Sequence, residues 1–247
     1  MTRKIAACLF VIFTLLSCKK GHNADCFKSN GETITELRNP GRFDSVEVQD
    51  KFDVTVSSGN EHKVEVTAGK HIIKNIATEI KNGQLVIKNK NTCNVVRGYK
   101  HKLRVHVTTP LLKKFLHNGQ GPVVFDSLSQ DSLNIQAESS GDTHINGAYQ
   151  KVYASTNGNG DIHLQGSAKQ LHLYTNGTNY IHAEDFYVTD YLYIASYTLG
   201  NCYLNAKGLG IFEYYIGNAG NIYYTGNPAV IKKPAGEEAK GKLVKED

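Results

Sequence analysis

The chain has 247 residues, with 28 Lys plus Arg against 23 Asp plus Glu, 14 Tyr, 23 Gly, one Met and no Trp. Its formal charge of +5 is small and scattered, which excludes the basic footprint of a nucleic-acid-binding domain. Beyond an N-terminal leader no stretch is apolar enough to span a bilayer, so the composition points to one β-rich extracytoplasmic domain with a continuous core.

Residues 1–17 read as a secretory signal peptide: Arg3 and Lys4 supply the positive end, residues 5–16 an apolar core too short to cross a membrane, and small residues precede Cys18. The stretch Leu15-Leu16-Ser17-Cys18 is similar to the lipobox of bacterial lipoproteins, where cleavage leaves the cysteine as a diacylated N-terminus. Cys18 is therefore the expected lipidation site. Acyl chains bury about 0.8 kcal/mol per CH₂ and would anchor the chain to the outer membrane, facing the periplasm or the outside. Residues 18–31 are polar and charged, and read as the lipidated Cys and a tether.

From 43 to 108 the pattern is β but irregular. Strands are expected at 45–48, 52–57, 63–67, 77–80, 85–89 and 103–108, with a helical turn or loop at 70–76 and a hairpin turn at Asn82-Gly83. Arg97, Lys100, His101, Lys102 and Arg104 read as a solvated strand face.

From about 116 to 224 the chain repeats every 19 to 21 residues. Gly121, Gly141, Gly160, Asn179, Gly200 and Gly220 fall in register, each opening an alternating apolar strand. A unit this short cannot bury an apolar face alone and must stack on its neighbours. Side chains alternate along a strand, so two columns should point inward: Val123, Thr143, Ile162, Ile181, Cys202 and Ile222, then Phe125, Ile145, Leu164, Ala183, Leu204 and Tyr224. Between them Val124, His144, His163, His182, Tyr203 and Tyr223 should point outward. At a strand spacing of about 4.8 Å, His144, His163, His182, Tyr203 and Tyr223 make an exposed ladder able to face a ligand.

The expected fold is all-β: a single-domain β-solenoid, or parallel β-helix, with coils of roughly 20 residues and irregular N-terminal coils. It spans 32–231, with a charged C-terminal cap or tail at 232–247 over the exposed edge. Cys8 leaves with the leader, and Cys202 should be a buried free thiol. Cys26 and Cys93 remain in polar, loop-like sequence, and export to an oxidising compartment favours a disulfide between them. A zinc site is the alternative, but no CxxC or paired Cys/His spacing supports it.

FDSVEVQDKFDVTVSSGNEHKVEVTAG, TEIKNGQLVIKN and LRVHVTTPLLKKFLHNGQGPVVF together resemble the auto-transporter adhesin, head GIN domain family, whose members are often Bacteroidota lipoproteins. The resemblance covers 43–227, and TCNVVRGY around Cys93 resembles the Cys-containing segment of the lipoprotein subset. It implies a β-helical fold and a cell-envelope location, and it supplies no catalytic residues.

The three histidines suit Zn²⁺, Ni²⁺ or Cu²⁺, but a site also needs fixed tautomers and supporting partners, and polar ladders are ordinary on solenoids; no metal and no cofactor is expected. Asn157-Gly158-Asn159-Gly160-Asp161 lacks the nine-residue period of calcium β-rolls. A carbohydrate-active β-helix enzyme, acting on polysaccharide, is the alternative function, but its clustered carboxylates are not apparent; only Asp142 and Asp161 occupy consecutive rungs, as turn residues. Asp44-Ser45-Val46, Asp126-Ser127-Leu128 and Asp131-Ser132-Leu133 resemble Bacteroidota O-glycosylation acceptors. The function expected is a non-enzymatic cell-envelope lipoprotein, an adhesin or ligand-binding or structural solenoid, with the membrane and a glycan or envelope protein as partners and no nucleic acid.

Overall fold

Short alternating segments joined by Gly, Asn and Asp turns dictate strands, and strands fill the chain in the computed structural model, which describes residues 29–91, 102–233 and 239–247. In the N-terminal half these are β1 (Thr33–Arg38), β2 (Ser45–Asp50), β3 (Asp53–Ser58), β4 (Lys63–Gly69), β5 (Ile76–Lys81), β6 (Gln84–Asn89), β7 (Arg104–Thr109), β8 (Lys114–Gly119) and β9 (Val123–Asp126). The repeats supply β10 (Gln130–Ala137), β11 (Thr143–Gly158), β12 (Ile162–Gly177), β13 (Ile181–Thr198), β14 (Cys202–Asn205), β15 (Ile211–Ile216), β16 (Ile222–Thr225), β17 (Val230–Lys232) and β18 (Leu243–Glu246). Segment 70–76 contains a 3₁₀ turn at Ile73–Asn75. Asn82 and Gly83 both have positive φ, at 51° and 78°, which is the requirement of a type I′ hairpin turn; it joins β5 to β6 antiparallel.

The strands form a β-solenoid with two walls. Sheet I stacks β6, β2, β8, β10, the second halves of β11, β12 and β13, then β15 and β17, all parallel. Sheet II stacks β7, β3, β9, the first halves of β11, β12 and β13, then β14, β16 and β18, also parallel. Each coil runs along sheet I, turns tightly, returns along sheet II and bends into the next coil. Strand β18 lies within the expected cap segment and adds a further parallel rung to sheet II.

The irregularity expected of the first coils has a specific form. The β2–β3 rung lies between β6–β7 and β8–β9, so spatial order departs from chain order. Two strands then extend the edge: β4 runs antiparallel to β7, and β1, antiparallel to β4, runs back in the direction of the stack. Arg38 pins this layer, its guanidinium donating to the carbonyls of Ile76 (2.6 Å) and Ile73 (3.0 Å).

Both expected inward columns are the core. Val123, Thr143, Ile162, Ile181, Cys202 and Ile222 are fully buried, as are Phe125, Ile145, Leu164, Ala183, Leu204 and Tyr224 within a few per cent. Cys202 is a free thiol, pushed up to about 12 by burial. The tight turns close against one another's backbone: a Cβ at Gly160 would overlap the carbonyl oxygen of Gly141. The same column runs on to Gly241 and back to Phe52, whose carbonyl oxygen meets Gly121. Beside the turns the interior is polar. Buried His117 donates from Nε2 to the Gly121 carbonyl (2.9 Å) and accepts at Nδ1 from the Thr143 hydroxyl (2.9 Å). Among the described residues no helix is long and apolar enough to cross a membrane.

Candidate functional site

The outward ladder on sheet II forms as spaced. His144 pairs with His163, His163 with His182, His182 with Tyr203 and Tyr203 with Tyr223 in direct register. Their rings stack at centroid separations of 4.4, 4.7, 5.6 and 5.3 Å, within 14° of parallel. This corrects the expectation of an exposed ladder. Each ring is half-buried, because its neighbours cover its faces and leave its edge to solvent. A file of this kind offers ring nitrogens and hydroxyls in a row, and no open aromatic face.

A second file of Asp and Asn flanks the rings, two residues before each except His182, where the position is Tyr180. The Oδ1 of Asp142 accepts from the Asp161 N–H (3.0 Å), and that of Asp161 from the Tyr180 N–H (2.7 Å). Asn201 and Asn221 do the same for the Asn221 and Lys242 N–H groups, both at 3.0 and 2.9 Å respectively. Both aspartates have ordinary negative φ at the turn, and each bonds the next rung. The ligating atoms of Asp142, His144 and His163 lie within 4.8 Å of one another, and so do those of Asp161, His163 and His182.

A register shift falls just beyond the ladder. His163 faces His182, but Gln165 faces Asp185, so β13 carries an extra residue there, as β-bulges do. It sets Glu184 beside His182, with Oε1 3.6 Å from Nδ1. The groove so formed is lined by the three histidines with Asn146, Gln165, Glu184 and Asp185. The pKa of His163 is lowered, first by burial and then by His144 and His182, against the opposing pull of Asp142 and Asp161.

Sheet I carries an aromatic surface that the sequence reading passed over. Tyr153 packs on His172 (4.7 Å, 28°), and His172 contacts both Tyr191 (5.3 Å, 57°) and Tyr193 (6.3 Å, 50°). Tyr197 lies between Tyr174 (5.5 Å, 39°) and Tyr215 (5.3 Å, 42°). Tyr153 and His172 stack, the other pairs are tilted, and Tyr153 and Tyr174 remain 38% and 46% exposed. Lys151 Nζ sits 4.6 Å over the Tyr153 ring, a cation–π contact. The Tyr191 hydroxyl donates to Glu213 (2.9 Å); partial burial and this bond push its pKa up to about 12. The signal was the alternation of LHLYT and YLYIASY, in which Tyr and His occupy the non-core positions.

Cys18, Cys26 and Cys93 lie outside the described residues. Of the three acceptor-like serines, Ser45 is half-buried in β2, while Ser127 and Ser132 are exposed.

A family model described as "Putative auto-transporter adhesin, head GIN domain" matches residues 42–228. No curated protein matches the chain. Among solved structures, a "putative adhesin" from Bacteroides fragilis NCTC 9343 aligns with a TM-score of 0.76 at 20% identity, over 87% of this chain and 97% of its own. A "putative lipid binding protein" from Parabacteroides distasonis ATCC 8503 gives 0.65 at 17%, over 89% and 98%. A "putative adhesin" from Parabacteroides merdae ATCC 43184 gives 0.62 at 19%, over 89% and 98%. At these identities the likeness is one of fold.

Proposed function

The chain belongs to the auto-transporter adhesin, head GIN domain family, and from that premise we propose that it is a non-enzymatic, lipid-anchored adhesin that binds glycan on the outer surface of sheet I. The observation that carries this reading is the tilt of the sheet I rings. Sugars present C–H faces to the electron-rich face of an aromatic ring, and the exposed ring of Tyr174, with the half-buried ring of Tyr197 tilted beside it, leaves such a face open. Asn, Gln and Ser side chains beside them supply hydrogen bonds to hydroxyl groups. Tyrosine also gives large contact area with few rotatable bonds, which limits the entropy lost on binding.

The ladder of His144, His163, His182, Tyr203 and Tyr223 is, in this reading, a hydrogen-bonding edge for the same or a second ligand. The enzyme alternative draws less support. Hydrolysis of a glycosidic bond needs one carboxyl group as acid and a second as base or nucleophile, whereas the stacked carboxylates of Asp142 and Asp161 are each engaged by a backbone N–H.

The anchor is proposed at Cys18 after removal of residues 1–17, with 18–31 as tether, a solenoid body to 231 and a charged end at 232–247. A Cys26–Cys93 disulfide would tie the tether to the body. Membership of an adhesin family supports a cell-envelope location, and the lipobox supports the outer membrane. Cys18→Ser should move the protein out of the membrane fraction; unchanged processing and retention would refute the anchor. The binding claim is tested on a glycan array with the products analysed: retention of a polymer without cleavage is expected, and depolymerisation lost on Asp161→Asn would establish the enzyme instead.

A further inference from the structure

We propose that Asp161, His163 and His182 form a capture site for a divalent transition-metal ion of the zinc, copper and nickel group on the outer surface of sheet II. Imidazole and carboxylate together suit these ions. Three such donors already gather here, with their ligating atoms within 4.8 Å of one another.

The pairing of the two files is what singles the site out. Except at Tyr180, before His182, the column two residues before each ring has a structural task, to accept the N–H of the next rung, and Asn201 and Asn221 perform it as amides. In those rungs the ring is a tyrosine, and the amide nitrogen turns to its hydroxyl at 3.4 and 2.9 Å. In the rungs of His144 and His163 the same position is Asp142 and Asp161. The hydrogen bond to the next rung does not require that negative charge. A cation held between carboxylate and imidazole does.

His163 and His182 are better supported than the neighbouring set. Asp161, His163 and His182 are all half-buried, whereas Asp142 is exposed. The Glu184 carboxylate lies 3.6 Å from Nδ1 of His182, an acidic neighbour of the kind that supports metal-bound imidazoles. Among the described residues His163 makes no hydrogen bond, so its nitrogens are uncommitted.

Zn–N bonds are about 2.0–2.1 Å, so two rings stacked 4.7 Å apart must tilt toward a shared point. Binding therefore unstacks the file at His163–His182. Because both overlapping donor sets use His163, the site holds one ion at a time.

The test uses the protein as the cell processes it, titrated with ZnCl₂ and with CuCl₂ by calorimetry, with equilibrium dialysis to count bound metal. One equivalent is expected, with His163→Ala abolishing it. Asp161→Asn should weaken it about 10-fold or more at unchanged melting temperature, since asparagine fills that position in two other rungs. His106→Ala, which removes a histidine of the N-terminal half, should leave binding unchanged. Absence of saturable binding, or binding retained by His163→Ala, would overturn the site. Loss on His144→Ala with retention in His182→Ala would overturn this assignment of ligands. None of these outcomes bears on glycan binding by sheet I.

Discussion

The two outer walls of the solenoid use the same residue types, Tyr and His, and present them oppositely. On sheet II each ring stands directly opposite the next in register, so the rings stack within 14° of parallel and show their edges. On sheet I a second shift, between Ala168 and Gln170, displaces β13 against β12 by one more residue. Tyr191 and Tyr193 then straddle His172, and Tyr174 meets Tyr197 diagonally although its direct partner is Ala195. The rings tilt and their faces open. Register, more than composition, decides whether an aromatic column offers faces to a sugar or edges to an ion.

The largest effect that tests this arrangement is an inversion of facing. Ile162→Asp places a charge in a fully buried position of sheet II, which should cost several kcal/mol of a total of about 5–15 and unfold the repeats in a denaturant titration. One residue on, His163→Ala should cost about 1 kcal/mol or less, the loss of its ring contacts. The reverse order of these two would mean that the sheet II columns are misfaced. Next comes the turn that holds the two walls in step. A Cβ at Gly160 overlaps the Gly141 carbonyl, whereas one at Gly208 meets open space at φ +71°. Gly160→Ala should therefore lower the melting temperature well beyond Gly208→Ala, whose backbone strain is about 1–3 kcal/mol.

A buried histidine beneath sheet I gives a smaller, pH-dependent effect. Burial lowers the pKa of His117 from 6.5 to about 4, so between those values the unfolded chain binds a proton that the folded chain refuses. Stability is full above about pH 6.5 and declines as pH falls toward 4, by up to about 3 kcal/mol. Melting curves across that range should show the loss, and His117→Gln should remove this component. Smallest of all, Tyr174→Ala on the exposed face of sheet I should leave stability within about 0.5 kcal/mol.

How much of this was legible in the sequence follows the same contrast between period and register. The repeats could be read because chain order equals spatial order there: both inward columns of sheet II, from Val123 to Ile222 and from Phe125 to Tyr224, are buried. In the N-terminal half the alternation announced β2 to β7 to within a residue or two at each end. It did not show that β2–β3 sits between β6–β7 and β8–β9, because alternation reports facing and says nothing about the partner. Strand β1, TITELR, was missed; it covers an edge and is only half-buried on one side, so its apolar signal is weak. On the ladder, position was legible and orientation was not. The role of Asp142 and Asp161 depends on a neighbour's N–H that only stacking brings close, and the extra residues in β13 appeared in the sequence merely as a lengthened period.

The central claim, that ligand is held by open ring faces on sheet I, is tested most directly by comparing two double variants on one glycan array with melting temperatures measured alongside. Tyr174→Ala with Tyr197→Ala removes open faces from sheet I; Tyr203→Ala with Tyr223→Ala removes stacked edges from sheet II. Loss of glycan binding in the first pair, with binding kept in the second and both proteins folded, is the predicted result. Binding kept by the first pair and lost in the second would contradict it.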